Sequence, residues 1–216
     1  MNVENNVFYL QVAFFFPSNA NFSIVKFAGI IQEEFQAMFK NEPTIMPLPD
    51  DAPKEIPRCV FKNDNGAELS FGMSRMDFKT TIKEAESWKN SMEVMAYNFS
   101  KLCRTFRIGI DRIGCVVQAN PNRECIEEIS KYVDISDFKN SNEKMINWVD
   151  KKEIDGVKIN DVINIKTNEN DVKFPHIVVI DVNTQKECPL SQNEIELKKA
   201  VNVILDEIEA RIKDVF

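Results

Sequence analysis

Histidine is nearly absent: His176 is the only one in 216 residues. One imidazole excludes a zinc site built from several histidines of one chain, and the H-E-x-x-H helix of metalloproteases. Glycine is scarce as well, with 6 residues. There is no G-x-G-x-x-G dinucleotide loop and no G-x-S-x-G nucleophile elbow. Gly109 and Gly114 have the glycine spacing of a P-loop, but Cys115 and Val116 stand where lysine and serine or threonine belong. No cofactor is implied.

Long apolar runs are missing too. The longest, Val12–Phe16, falls far short of the roughly 18–20 residues that cross a bilayer. The opening MNVENNVFYL has no basic region and no long apolar core, so it does not read as a secretory leader. The 5 cysteines, Cys59, Cys103, Cys115, Cys125 and Cys188, are odd in number and form no C-x-x-C. Together these features lead us to expect reduced thiols in a cytoplasmic chain. Basic charge is in deficit: 27 Lys and Arg against 34 Asp and Glu give a net charge of −7. Neutralising phosphates takes clustered Lys and Arg. Neither nucleic acid nor an anionic membrane surface is therefore expected as a partner.

What is present is an ordinary globular composition, 44% hydrophobic and 28% charged. Val7–Phe16 alternates with one apolar face, Phe8, Leu10, Val12, Phe14 and Phe16, which predicts a strand. Ile24, Phe27, Ile31, Phe35 and Met38 recur at three and four, which predicts a helix over about 22–39. Five prolines between Pro43 and Pro57 then mark a long loop. Two strands flank Asn65-Gly66, a hairpin signal. A third strand spans about 73–82, and a helix follows with Trp88, Met92, Met95, Phe99 and Leu102 inward.

The second half has the same grammar. A long strand is expected over 106–119, then a short helix after Asn120-Pro121. Strands follow at about 144–154, 157–167 and 172–183, and a last helix opens with the capping box Ser191 to Glu194. The expectation is an α+β fold of two successive β-α-β-β-β-α lobes, residues 1–103 and 104–216, in one compact unit. Its sheet is mainly antiparallel and covered by helices. The plan is similar in topology to TATA-binding-protein-like and helix-grip folds, by analogy only.

Arg75-Met76-Asp77-Phe78, then Trp88 with its helix, then Arg107-Ile108-Gly109-Ile110-Asp111-Arg112-Ile113 together resemble an uncharacterised, sporadically distributed bacterial α+β family. The likeness covers the middle third of the chain. It departs at Asp111 and Arg112, where that family tends to have Arg and Tyr, and in lacking a Tyr before Trp88. It implies a fold and no mechanism.

Two constellations offer chemistry. Turning the chain at Asp155-Gly156 sets Asp150 opposite Asp161, and turning it again at Asn168-Glu169 sets Asp161 opposite His176. Asp150, Asp161 and His176 would then form a polar row on an otherwise apolar sheet face. Paired carboxylates beside an imidazole suit acid–base work or a divalent metal. The plain alternative is a structural row at the sheet rim. The second constellation is Arg75 and Asp77 with Arg107 and Asp111. Gly109 between the last two leaves room for a ligand, and the paired arginines suit a carboxylate or phosphate. Its plain alternative is an ion-pair network on a solvated face.

The expected function is a cytoplasmic, non-catalytic binding module. It would use a sheet face or groove to bind a protein or peptide, or a second copy of itself as a homodimer. The alternative is a small metal-assisted or acid–base enzyme using Asp150, Asp161 and His176.

Overall fold

A computed structural model describes residues 7–49, 51–82, 88–121, 145–167, 176–185 and 194–215. They form an α+β architecture. The strands are β1 (Val7–Phe15), β2 (Thr44–Ile45), β3 (Cys59–Lys62), β4 (Glu68–Phe71), β5 (Arg75–Thr81), β6 (Arg112–Ala119), β7 (Met145–Ile154), β8 (Val157–Thr167) and β9 (His176–Thr184). The described helices are α1 (Ile24–Glu34), α2 (Trp88–Thr105) and α3 (Glu194–Val215). The helix expected after Pro121 and the cap at Ser191 lie outside the described residues, as do Cys125 and Cys188.

All nine strands join one sheet in the order β2-β3-β4-β5-β1-β6-β9-β8-β7, and every pairing is antiparallel. The first strands of the two halves, β1 and β6, lie side by side at its centre. The sheet therefore runs unbroken through both halves of the chain.

Alternation decides which face is covered. Leu10, Val12 and Phe14 of β1 are fully buried, and α1, α2 and α3 pack on their side. Phe99 of α2 meets Phe14 edge-on, with ring centroids 5.5 Å apart. Phe27 of α1 packs against Phe71 and Phe106. The amphipathic spacing of α3 buries Leu197, Val201, Ile204, Ile208 and Ile212. No described helix is long and apolar enough to cross a membrane.

Local signals explain most boundaries. Ser23 caps α1, its side chain accepting from the Lys26 N–H. Asp155 and Gly156 take φ of 51° and 78° in the two-residue turn between β7 and β8, as that hairpin geometry requires.

Three expectations are corrected. The strand expected over 106–119 begins only at Arg112, because α2 continues to Thr105 and stops in a Schellman turn. There the Ile108 N–H donates to the Cys103 carbonyl, and the Arg107 N–H to that of Arg104. Arg107 takes the left-handed position of that turn, with φ of 54°. The proline-rich loop contributes a short edge strand, β2, paired with β3. The β8–β9 register differs from the expected one: Ile165 faces Val178, and Asp161 faces Val182.

Candidate functional site

The register correction dismantles the acid–imidazole row. Asp150 does face Asp161 across β7 and β8. His176, however, opens β9 opposite Thr167, about 20 Å along β8 from Asp161 at the usual strand rise.

Asp161 instead meets cations from two elements. Its side chain is 1% exposed. It accepts from Arg211 Nε at 2.7 Å and Nη2 at 2.5 Å, and from Lys152 Nζ at 3.1 Å. Glu207, one helical turn before Arg211, binds Lys152 at 2.7 Å and Arg211 at 3.2 Å. Asp150 is exposed and stands 3.7–3.8 Å from the same two cations. Burial opposes the Lys152 ammonium, but its hydrogen bonds to Glu207 and Asp161 outweigh that and raise its pKa. The cluster ties α3 to the outer sheet. Among the described residues no group of His, Cys, Asp and Glu is placed to hold a metal ion.

The second constellation separates differently. Arg75 and Asp77 stand on β5 and bond directly: Arg75 Nε donates to Asp77 Oδ2 at 2.6 Å, and Nη2 donates to Oδ1. Arg107 is spent in the turn that ends α2. Asp111 precedes β6, its N–H donating to the Phe15 carbonyl. The space over Gly109 is taken by Pro17, whose Cγ would lie 3.1 Å from a Cβ added there.

Arg75 and Asp77 belong to the sheet face opposite the helices, against which no described helix packs. On this face Phe15 of β1 faces Arg75 on one side and Arg112 of β6 on the other. The two guanidinium carbons lie 4.9 and 3.9 Å from the Phe15 ring centroid. Such cation–π contacts are worth about 0.5–1 kcal/mol each when partly exposed. A Cβ at Gly114 would make only ordinary contacts, 3.7 Å from Phe15 Cε2 and 3.4 Å from Asn183 Cβ.

Hydrogen bonds extend outward from this stack. Tyr9 Oη donates to Gln11 Oε1 at 3.3 Å, and Gln11 Nε2 to Asp77 Oδ1 at 2.7 Å. Burial, then the charges of Asp77 and Glu68, raise the Tyr9 phenol and keep it a donor. On the other side Asn160 Nδ2 donates to Asn183 Oδ1, and Asn183 Nδ2 to Asp181 Oδ1, both at 3.1 Å. Burial raises the Asp181 carboxyl, while the Asn183 bond and the Arg112 charge pull it down.

Register places Lys62, Arg75, Lys79, Arg112, Lys151, Lys158 and Lys166 on this face, against Glu68, Asp77, Glu153 and Asp181. Basic groups outnumber acidic ones here although the chain is acidic overall. Phe15, Arg112 and Asp181 were absent from the sequence-derived sets. The available signal was an aromatic at Phe15 on the parity of β1 that also holds Tyr9 and Gln11. Its two neighbours needed long-range pairing to be seen.

No family model matches the chain, and no curated protein matches it. Among solved structures it is similar to one described as that of the rolling circle replication initiator protein from Geobacillus stearothermophilus. The two are 11% identical with a TM-score of 0.34, over 94% of this chain and 78% of that chain. So slight a likeness brings over no activity. The premise for excluding nucleic acid, that Lys and Arg are scattered, does not hold on this sheet face, and the expectation of a non-catalytic protein- or peptide-interaction module with no nucleic acid among its partners is withdrawn. The physical error lay in reading a partner from total charge, which averages a locally basic face with an acidic remainder.

Proposed function

We propose that the chain binds single-stranded nucleic acid across the sheet face opposite the described helices, with the Phe15 stack at the centre. The observation behind this reading is Phe15 flanked by Arg75 and Arg112 on a face with an excess of basic groups. Unpaired bases stack on aromatic rings and on guanidinium planes, and Lys and Arg beside them meet the phosphates. Gln11, Asn160 and Asn183 add neutral donors and acceptors around the stack. A cytoplasmic setting fits the free thiols of Cys59, Cys103 and Cys115, all buried. Burial pushes the Cys59 thiol up to about 11 and that of Cys103 up to about 12.

The test is fluorescence anisotropy with a labelled oligothymidylate. Base–aromatic stacking is worth about 1–3 kcal/mol per base, so Phe15→Ala should weaken binding by roughly 5- to 150-fold. Equal affinity for wild type and Phe15→Ala, or no binding by wild type, would overturn the reading.

A further inference from the structure

We propose that Tyr9 is a second base-stacking platform, and that the bound single strand runs lengthwise along β1 from the Phe15 stack to Tyr9. This rests on the nucleic-acid reading just given. Side chains of one strand alternate between faces, so Tyr9, Gln11, Ala13 and Phe15 share the face opposite the described helices. Tyr9 and Phe15 are the two aromatics that β1 places there, and both are half-buried. Their Cα atoms stand about 20 Å apart at the usual strand rise.

The track between them is straight and low. From Tyr9 to Phe15 the pairing is regular on both sides: Tyr9 faces Thr81 and Gln118, and Phe15 faces Arg75 and Arg112. The register shift of β1 against β6 falls before Tyr9. In the middle Ala13 faces Gly114, so neither β1 nor β6 raises a long side chain there. Phe15 Cε2 lies 3.7 Å from where a Gly114 Cβ would stand, so the ring leans over this low stretch. From the other end the Tyr9 hydroxyl donates to Gln11 Oε1 at 3.3 Å, and Gln11 Nε2 donates to Asp77 Oδ1 at 2.7 Å. These bonds tether Tyr9 to the carboxylate that also binds Arg75. A tethered ring has less freedom to lose when a base stacks on it.

Charge follows the same line. Arg75 and Arg112 stand beside Phe15, and Lys79 beside Gln11. Lys79 makes only a 3.8 Å contact with Glu68, which Lys62 approaches more closely, at 3.2 Å. A strand lying along β1 would therefore stack a base at each end and meet cations between. The gap of about 20 Å equals about six steps of a stacked strand at 3.4 Å each, and fewer steps of an extended one. A dinucleotide cannot reach both rings, whereas a longer oligomer can. The consequence is a length dependence that Tyr9 carries.

The experiment measures anisotropy at low salt with labelled oligothymidylates of about two to about ten nucleotides, a range that brackets this footprint. The proteins are wild type, Tyr9→Leu, Tyr9→Phe and Lys151→Ala. Tyr9→Leu keeps apolar bulk without an aromatic face, and Tyr9→Phe keeps the ring without the hydroxyl. Lys151 lies on the same face on the edge strand β7, away from β1. With the longest oligomers Tyr9→Leu should bind at least about fivefold more weakly, the loss of one base–aromatic stack. With the dinucleotide the difference should shrink to less than about twofold, because one stack serves so short a ligand. Tyr9→Phe and Lys151→Ala should stay within about threefold of wild type at every length, since both keep the two rings. Photo-cross-linking of wild type to a long oligothymidylate carrying 5-iodouracil, mapped by mass spectrometry, needs no folded variant. It should mark Tyr9 as well as Phe15.

If wild type binds in a Phe15-dependent way while Tyr9→Leu matches it at every length, or no cross-link reaches Tyr9, this proposal fails and the nucleic-acid reading stands. A larger loss for Lys151→Ala than for Tyr9→Leu would lay the strand across the sheet toward β7 and overturn the path along β1. If wild type binds no oligomer, both fail.

Discussion

Asp161→Ala tests the reading of the buried charge cluster as a clamp between α3 and the outer sheet. The substitution deletes a carboxylate that is 1% exposed and receives three contacts within 3.1 Å from Arg211 and Lys152. Removing one member of a buried ion pair costs about 3–5 kcal/mol, since the survivors keep their desolvation penalty. The lower end applies here. Lys152 and Arg211 are each 25% exposed, and both retain Glu207. At about 3 kcal/mol, a chain of this size should lose roughly 6–12 °C of melting temperature. Urea unfolding followed by tryptophan fluorescence measures it directly. Asp150→Ala is the internal contrast: that side chain is 61% exposed and no closer than 3.7 Å to either cation, so its loss should cost under about 1 kcal/mol. Equal losses for the two variants, or less than 1 kcal/mol for Asp161→Ala, would refute the argument that burial makes one partner of this facing pair structural and the other dispensable.

Two further outcomes follow from local geometry. Gly72→Ala places a Cβ 2.7 Å from the Ile56 carbonyl oxygen and 2.8 Å from that of Lys54. Backbone must shift to admit it, so denaturant unfolding should show a loss of about 1–3 kcal/mol; no loss would mean that the 54–56 segment is not held there. Glu209 is held down to about 2 from its ordinary 4.5, first by its hydrogen bond to Lys213 and then by Lys89. Its stabilisation is present above about 4.5 and is lost as pH falls toward 2. Glu209→Gln should remove that slope, worth about 0.2–1 kcal/mol at so exposed a site. An unchanged pH–stability curve would contradict the pairing.

The elements were legible where local chemistry decides them. Alternation in β1, the three-four spacing of α2 and the Asp155-Gly156 turn each point to one structure, and the β7–β8 pairing followed residue by residue. The β8–β9 pairing did not. A period-two pattern survives any even shift, so Ile163, Ile165, Val178 and Ile180 share a face in the expected register and in the real one. The face was therefore legible while the partner of Asp161 was not. The end of α2 was hidden because Arg107 fills a left-handed position where glycine is the usual signal. The candidate site was half legible. Arg75 and Asp77 lie two residues apart on one strand, whereas Phe15 meets Arg112 only through the β1–β6 pairing, a contact nearly a hundred residues apart in sequence.

The central claim is that Arg75 and Arg112 beside Phe15 bind the phosphates of a single strand. The most direct measurement is the salt dependence of oligothymidylate affinity for wild type and for the Arg75→Ala/Arg112→Ala double variant. Each phosphate contact contributes about −0.7 to the slope of log K against log salt for single strands, so the double variant should be shallower by about 1.4. Identical slopes in the two proteins, or a wild type that leaves the oligonucleotide unbound at low salt, would contradict it.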